Sequence, residues 1–170
     1  SNTMFKPNLI AVLVAALVPM LTGFIWYHKK VFGAAWMKAA GMDEEKMKGA
    51  NMALIFGLSY LLSFFLAFAM QFIVIHQSHV YSVVMGDAAL NDASSELSVM
   101  LKNFIEKYGN NFRTFKHGAL HGTIAGITVA LPIIGTNALF ERKSFKYVAI
   151  NAGYWILTIA LMGGVVCAMQ

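Results

Sequence analysis

Charge is what this sequence has least of. Only 12% of its 170 residues are Asp, Glu, Lys or Arg, where an average soluble domain carries about 25%. A soluble particle of this size could not cover its surface with so few charges. With 58% hydrophobic residues, the solvent that fits the chain is a bilayer. There is a single cysteine, Cys167, so an internal disulfide and a cysteine-based zinc site are both excluded. It reads as a small apolar helix residue. No Gly-rich phosphate loop, nucleophile elbow or heptad array occurs. The net charge of +5 does not point to nucleic acid, because the basic residues stand beside apolar runs, where they meet lipid headgroups.

What is present is four uncharged stretches. They occupy residues 7–27, 49–86, 117–140 and 147–170. A spanning helix needs about 20 apolar residues, so the spacing predicts spans at about 8–27, 52–76, 115–139 and 146–168. Pro19 and Pro132 fall inside spans one and three, where prolines kink rather than break. Asp43 is expected to cap an early start of the second span, with Glu44 and Glu45 in its first turn. Ser144 is the expected cap of the fourth. Trp26 and Tyr27, followed by Lys29 and Lys30, and then Trp36, read as interfacial anchors rather than a signal-peptide cleavage site. Ser1, Asn2 and Thr3, ahead of Met4, are expected to be a non-native scar, leaving 4–170 as one membrane domain.

Two connections carry patterns of their own. Phe32, Ala35, Trp36 and Ala39 share one helical face over 31–41, a short interfacial helix ended by Gly41. In residues 92–108, Leu97, Met100, Leu101, Phe104, Ile105 and Tyr108 recur with a 3.6-residue period. That is an amphipathic helix outside the bilayer. The fold class is therefore all-α: an integral membrane four-helix bundle, with an interfacial helix after span one and an extramembrane helix between spans two and three.

Four spans place both termini and the long second connection on one side. The first and third connections, on the other, hold Lys29, Lys30, Lys38, Lys46, Lys48, Arg142, Lys143 and Lys146. The terminal side holds Lys6, Lys102, Lys107, Arg113 and Lys116. The positive-inside rule puts the larger group in the cytoplasm and the termini outside.

The stretch "KHGALHGTIAGI" at 116–127 carries the sharpest motif. Gly118, Gly122 and Gly126 are four apart and read as a tight helix–helix seam, since in lipid close backbone approach draws helices together. The seam could join spans or subunits, so homo-oligomerisation is a further expectation. His117 and His121 share a helix face, as metal-binding pairs do. His76 and His79 are the other pair, on the same side of the membrane. Two ligands are too few for a metal and no span contains an acidic residue, so the histidines read first as headgroup-level or cross-helix hydrogen bonders. No metal or cofactor is expected.

Several motifs in combination resemble a known family. "GFIWYHKKVFGAAWMKAAG" is similar to its Trp-Tyr then Phe-Gly-x-x-Trp-Met signature, and "HGALHGTIAGI" to its His-Gly entry to the third span. "NALFERKSFKYVAINAGY" and "LMGG" are similar to its last hairpin. The family is domain of unknown function 1761, and the resemblance covers nearly the whole chain. His28-Lys29-Lys30 stands where the family pattern has a small or proline-containing turn. The resemblance implies the four-helix membrane fold and brings no catalytic residues.

With no Asp, Glu, Lys or Arg deep in any span, a proton relay and acid–base catalysis are disfavoured. The leading expectation is a non-enzymatic bacterial inner-membrane protein that acts by packing, self-assembly or contact with membrane partners. Its alternatives are a small pore or carrier, whose lining would be the few polar span residues, and a histidine-based metal-binding membrane protein.

Overall fold

The computed structural model describes residues 4–169; the expectation of a scar at residues 1–3 lies outside them. Every element among the described residues is helical. Four helices are long and apolar enough to cross a membrane: Leu9–Trp26, Met52–Val74, Phe115–Phe140 and Phe145–Ala168. Shorter helices cover Ala34–Ala40, Glu44–Met47, Gln77–Val83 and Glu96–Tyr108.

Side chains that accept from exposed N–H groups set the helix starts. Asn8, Asn51, Thr114 and Ser144 cap the four spans in turn. The expectation for Asp43 is corrected. It does cap a helix, but only the single turn Glu44–Met47, with Glu44 and Glu45 at its start. Lys48 is extended and Gly49 takes a left-handed φ of 78°, so the chain turns before Asn51 begins the span. Gly41, at φ 68°, ends Ala34–Ala40 as expected. The second span stops at Val74, two residues early, because Ile75 is extended and the chain turns a corner into Gln77–Val83.

The prolines act locally. Pro19 has no N–H to offer Ala15, and the first span breaks into Leu9–Ala15 and Val18–Trp26. Ahead of Pro132 the third span widens into a π turn over Gly126–Ala130, a usual accommodation of a lost i→i−4 bond.

The fourth span is the hub. Over half of its most apolar window is buried, 56% against 11% for the second and third spans. Its main partner is the third span, and the glycines are the reason. A Cβ on Gly122 would stand 2.5 Å from the Ile159 carbonyl oxygen and 2.8 Å from Ala160 Cα; one on Gly126 would stand 2.7 Å from Ile156 Cα. One on Gly118 would collide with the Gly163 carbonyl and with Cys167. The seam is therefore within the chain, backbone against backbone. Val12, Ala15, Ala16, Ala67, Met70, Val74, Met162 and Val166 fill the remaining core between spans one, two and four.

Polar span residues tie these helices together. Thr22 and Thr158 share a 2.8 Å hydrogen bond. The Tyr154 hydroxyl donates to the Pro19 carbonyl at 2.5 Å. Asn8 N–H donates to Gln71 Oε1 at 2.9 Å. The expected anchors also reach into the bundle: Trp26 Nε1 donates to the Ile150 carbonyl at 3.0 Å and the Tyr27 hydroxyl to Asn151 Oδ1 at 2.6 Å, while Trp36 meets the Tyr27 ring edge-on. Outside the spans, the amphipathic helix leaves Val99, Met100 and Phe104 exposed, an apolar face fit to lie on a membrane surface.

The seam yields a comparison. Gly122→Leu should destabilise the monomer in detergent by about 2 kcal/mol, the scale of an overpacked core. Gly135→Leu in the same span should be close to neutral, since only Val148 Cγ1, at 4.0 Å, comes near its Cβ position. Unfolding of the two variants in SDS, side by side, decides it; equal stability would contradict the seam.

Candidate metal centre

Three of the four candidate histidines converge. His117 and His121 stand one residue ahead of Gly118 and Gly122, so when the glycine face docks on the fourth span the histidines face sideways along the third. His76 occupies the corner that ends the second span. The corner is held by Ser78, whose hydroxyl donates to the Ile75 carbonyl at 2.7 Å. His76 and His117 bring their Nε2 atoms to 2.7 Å, and the ring centroids of the trio lie 4.5–4.9 Å apart. One ligand nitrogen from each falls within 4.8 Å of the others. His79 is exposed and stands outside the cluster.

A turn that the sequence did not single out completes the site. Phe112 has φ 61°, a left-handed conformation costly for a bulky residue. Its neighbours hold it there. Gln77 Nε2 donates to the carbonyls of Tyr108 and Asn111 at 3.0 and 2.8 Å. Arg113 donates to the carbonyls of Cys167 and Met169 at 3.0 and 3.1 Å, satisfying acceptors at the end of the fourth span. The Phe112 ring thus lies 4.8 Å from the His117 ring and 6.0 Å from that of His76. Strain of this kind often marks a ligand site. The one sequence signal for it was the polar pair Asn110-Asn111, which favours a turn.

At 2.7 Å the His76–His117 contact is a hydrogen bond, with one Nε2 protonated and the other a lone pair. Tetrahedral ligation at about 2.0–2.1 Å separates neighbouring nitrogens by about 3.3 Å, so a small rotation of these rings would replace the shared proton with an ion. Three neutral imidazoles with an open fourth position match a late first-row divalent ion. Among the described residues, no carboxylate or thiol joins the group.

The His76 pKa lies below the ordinary histidine value, first because the ring is desolvated and then because His121, His117 and His79 surround it. The neutral, ligand-competent form is favoured at neutral pH.

The site sits in an all-helical protein with four helices able to cross a membrane. The chain belongs to the family described as protein of unknown function (DUF1761), whose model matches residues 10–167. Comparison with curated proteins and with solved structures gave no match.

The depressed pKa has a sign that can be checked. The folded state binds fewer protons at His76 than the unfolded chain does. Its contribution to stability is thus full above about pH 6.5 and is lost as pH falls towards the lower folded value. NMR titration should place the His76 midpoint below 6.5, and His121→Ala should raise it. A midpoint at or above 6.5 in the wild type would contradict the clustered geometry.

Proposed function

We propose that this protein binds a divalent transition-metal ion, Zn²⁺ or Cu²⁺, at the membrane surface through His76, His117 and His121. The observation that carries the reading is the convergence of three imidazoles, two from the third span and one from the corner after the second, on one point. With no carboxylate at the site to act as general base, capture or delivery of the ion fits better than hydrolysis, and the protein is non-enzymatic. Several polar span residues bond to one another or to their own helices, as in Thr22–Thr158, Thr123–Ala119 and Thr128–Ile124, which argues against a continuous polar pore. The glycines are used inside the chain, so they supply no argument for self-assembly.

The excess of basic residues in the first and third connections supports, by the positive-inside rule, a bacterial cytoplasmic membrane with the termini outside; in that orientation the histidines, on the terminal side, face the extracytoplasmic space. A reporter fused at the C-terminus should then read as extracytoplasmic and one placed at Arg142-Lys143 as cytoplasmic; the opposite labelling would invert the topology.

Titration of chelator-treated protein in detergent with Zn²⁺ should show one ion per chain. His76→Ala, His117→Ala and His121→Ala should each weaken binding by about 100-fold, at least the loss caused by removing an outer-shell partner. His79→Ala should leave it unchanged. Binding that survives all three variants, or no stoichiometric binding, would overturn the proposal.

A further inference from the structure

A second site lies at the opposite end of the bundle, independent of the histidines. The first and second spans touch through Leu9–Ala15 and more sparsely beyond the Pro19 break, where the Phe24 and Phe56 rings stand 5.8 Å apart and an opening lies between the two helices. The opening is a cavity of about 760 Å³. Its walls are Met20 and Phe24 from the first span and Phe56, Leu62 and Leu66 from the second, with Trp155 of the fourth span among the floor residues. Met47 and Met52 stand at its mouth, beside His28 and Lys29. Methionine is the side chain that best adapts to a variable apolar occupant.

Two hydroxyls make this more than an apolar groove. Ser59 and Ser63 both line the cavity. Elsewhere in the spans Thr22, Thr123 and Thr128 donate to the carbonyl four residues back, as hydroxyls in membrane helices ordinarily do. Among the described residues, Ser59 and Ser63 make no such bond, although Ser63 is only 4% exposed. A hydroxyl without a hydrogen-bond partner in lipid is costly, and the cavity that both serines line is the space from which an acceptor can reach them.

Depth then selects the occupant. Ser63 is at the midpoint of Met52–Val74, and Ser59 is one turn nearer the Lys29 end. The ester carbonyls of a phospholipid lie at the edge of a hydrocarbon layer about 30 Å thick, roughly 15 Å from its centre. An acyl chain would fill the apolar walls but bring no acceptor to Ser63. We infer that the cavity binds an uncharged lipophilic carbonyl compound, whose oxygen accepts from Ser63 and Ser59 near the bilayer midplane while its apolar body packs on Phe24, Phe56, Leu62 and Leu66.

Benzophenone is a suitable probe, being a lipophilic ketone that also photolabels its neighbours. Diphenylmethane, of nearly the same shape without the oxygen, is the control. In purified protein in nanodiscs, benzophenone labelling should saturate and map to the less exposed cavity residues such as Met20, Leu66 and Trp155. Unlabelled ketone should compete about threefold better than diphenylmethane, the effect of one hydrogen bond in a membrane interior. Ser59→Ala with Ser63→Ala should abolish that difference while leaving diphenylmethane competition unchanged. Labelling that never saturates, or that spreads over lipid-facing residues such as Ile10 and Phe140, would overturn the inference. So would equal competition by the two compounds on the wild type, the result expected if the cavity holds only hydrocarbon chains. The wild-type comparison stands even if the double variant folds poorly.

Discussion

The approach of the third span to the fourth, with only glycine between them, sets the geometry of everything on the terminal side. Side-chain burial cannot draw helices together in lipid, because the lipid is as apolar as the side chains. What remains is backbone contact, dispersion and a few polar bonds. Gly118 against Gly163, Gly122 against Ile159 and Gly126 against Ile156 provide that contact over more than two turns. With this register fixed, the fourth span becomes a hub onto which the first span is attached by three polar bonds: Thr22 to Thr158, Tyr154 to Pro19, Trp26 to Ile150.

The histidine site follows from that register. A helix turns 100° per residue, so residues one place ahead of the seam glycines point neither at the fourth span nor directly away from it. They point towards the end of the second span, where Ile75 breaks the helix and His76 meets them. The seam and the histidine cluster therefore share one register: in "KHGALHG" the glycines pack on the fourth span and the histidines beside them meet His76. The same economy appears at the other end. The Pro19 carbonyl accepts from Tyr154 of the fourth span, and the helix that Pro19 begins lines the serine-bearing cavity beside the second span.

The spans were legible because lack of charge over about 20 residues is a constraint no tertiary contact can override. Ser144 as a cap and Gly41 as a stop were legible because both act within a turn of themselves. Asp43 misled because a cap signal marks a helix start without saying how far the helix runs; the break at Gly49 decided that. The glycine stripe could be read as a seam, while its partner could not, since that depends on which helix neighbours which. The trio was half visible. His117 and His121 are paired by spacing alone, whereas His76 joins them across 41 residues of chain and His79, its neighbour in sequence, stays outside. Phe112 gave almost no signal, since its strained conformation is imposed by Gln77 and Arg113 from elsewhere in the fold.

The ligand set itself is the central claim, and X-ray absorption at the zinc edge reads it directly. Protein loaded with one equivalent of Zn²⁺ should show four light scatterers at about 2.0–2.1 Å. The outer-shell pattern should be that of three imidazoles, leaving the fourth position to water. A sulfur scatterer at about 2.3 Å, or an oxygen shell with no more than one imidazole, would contradict the account.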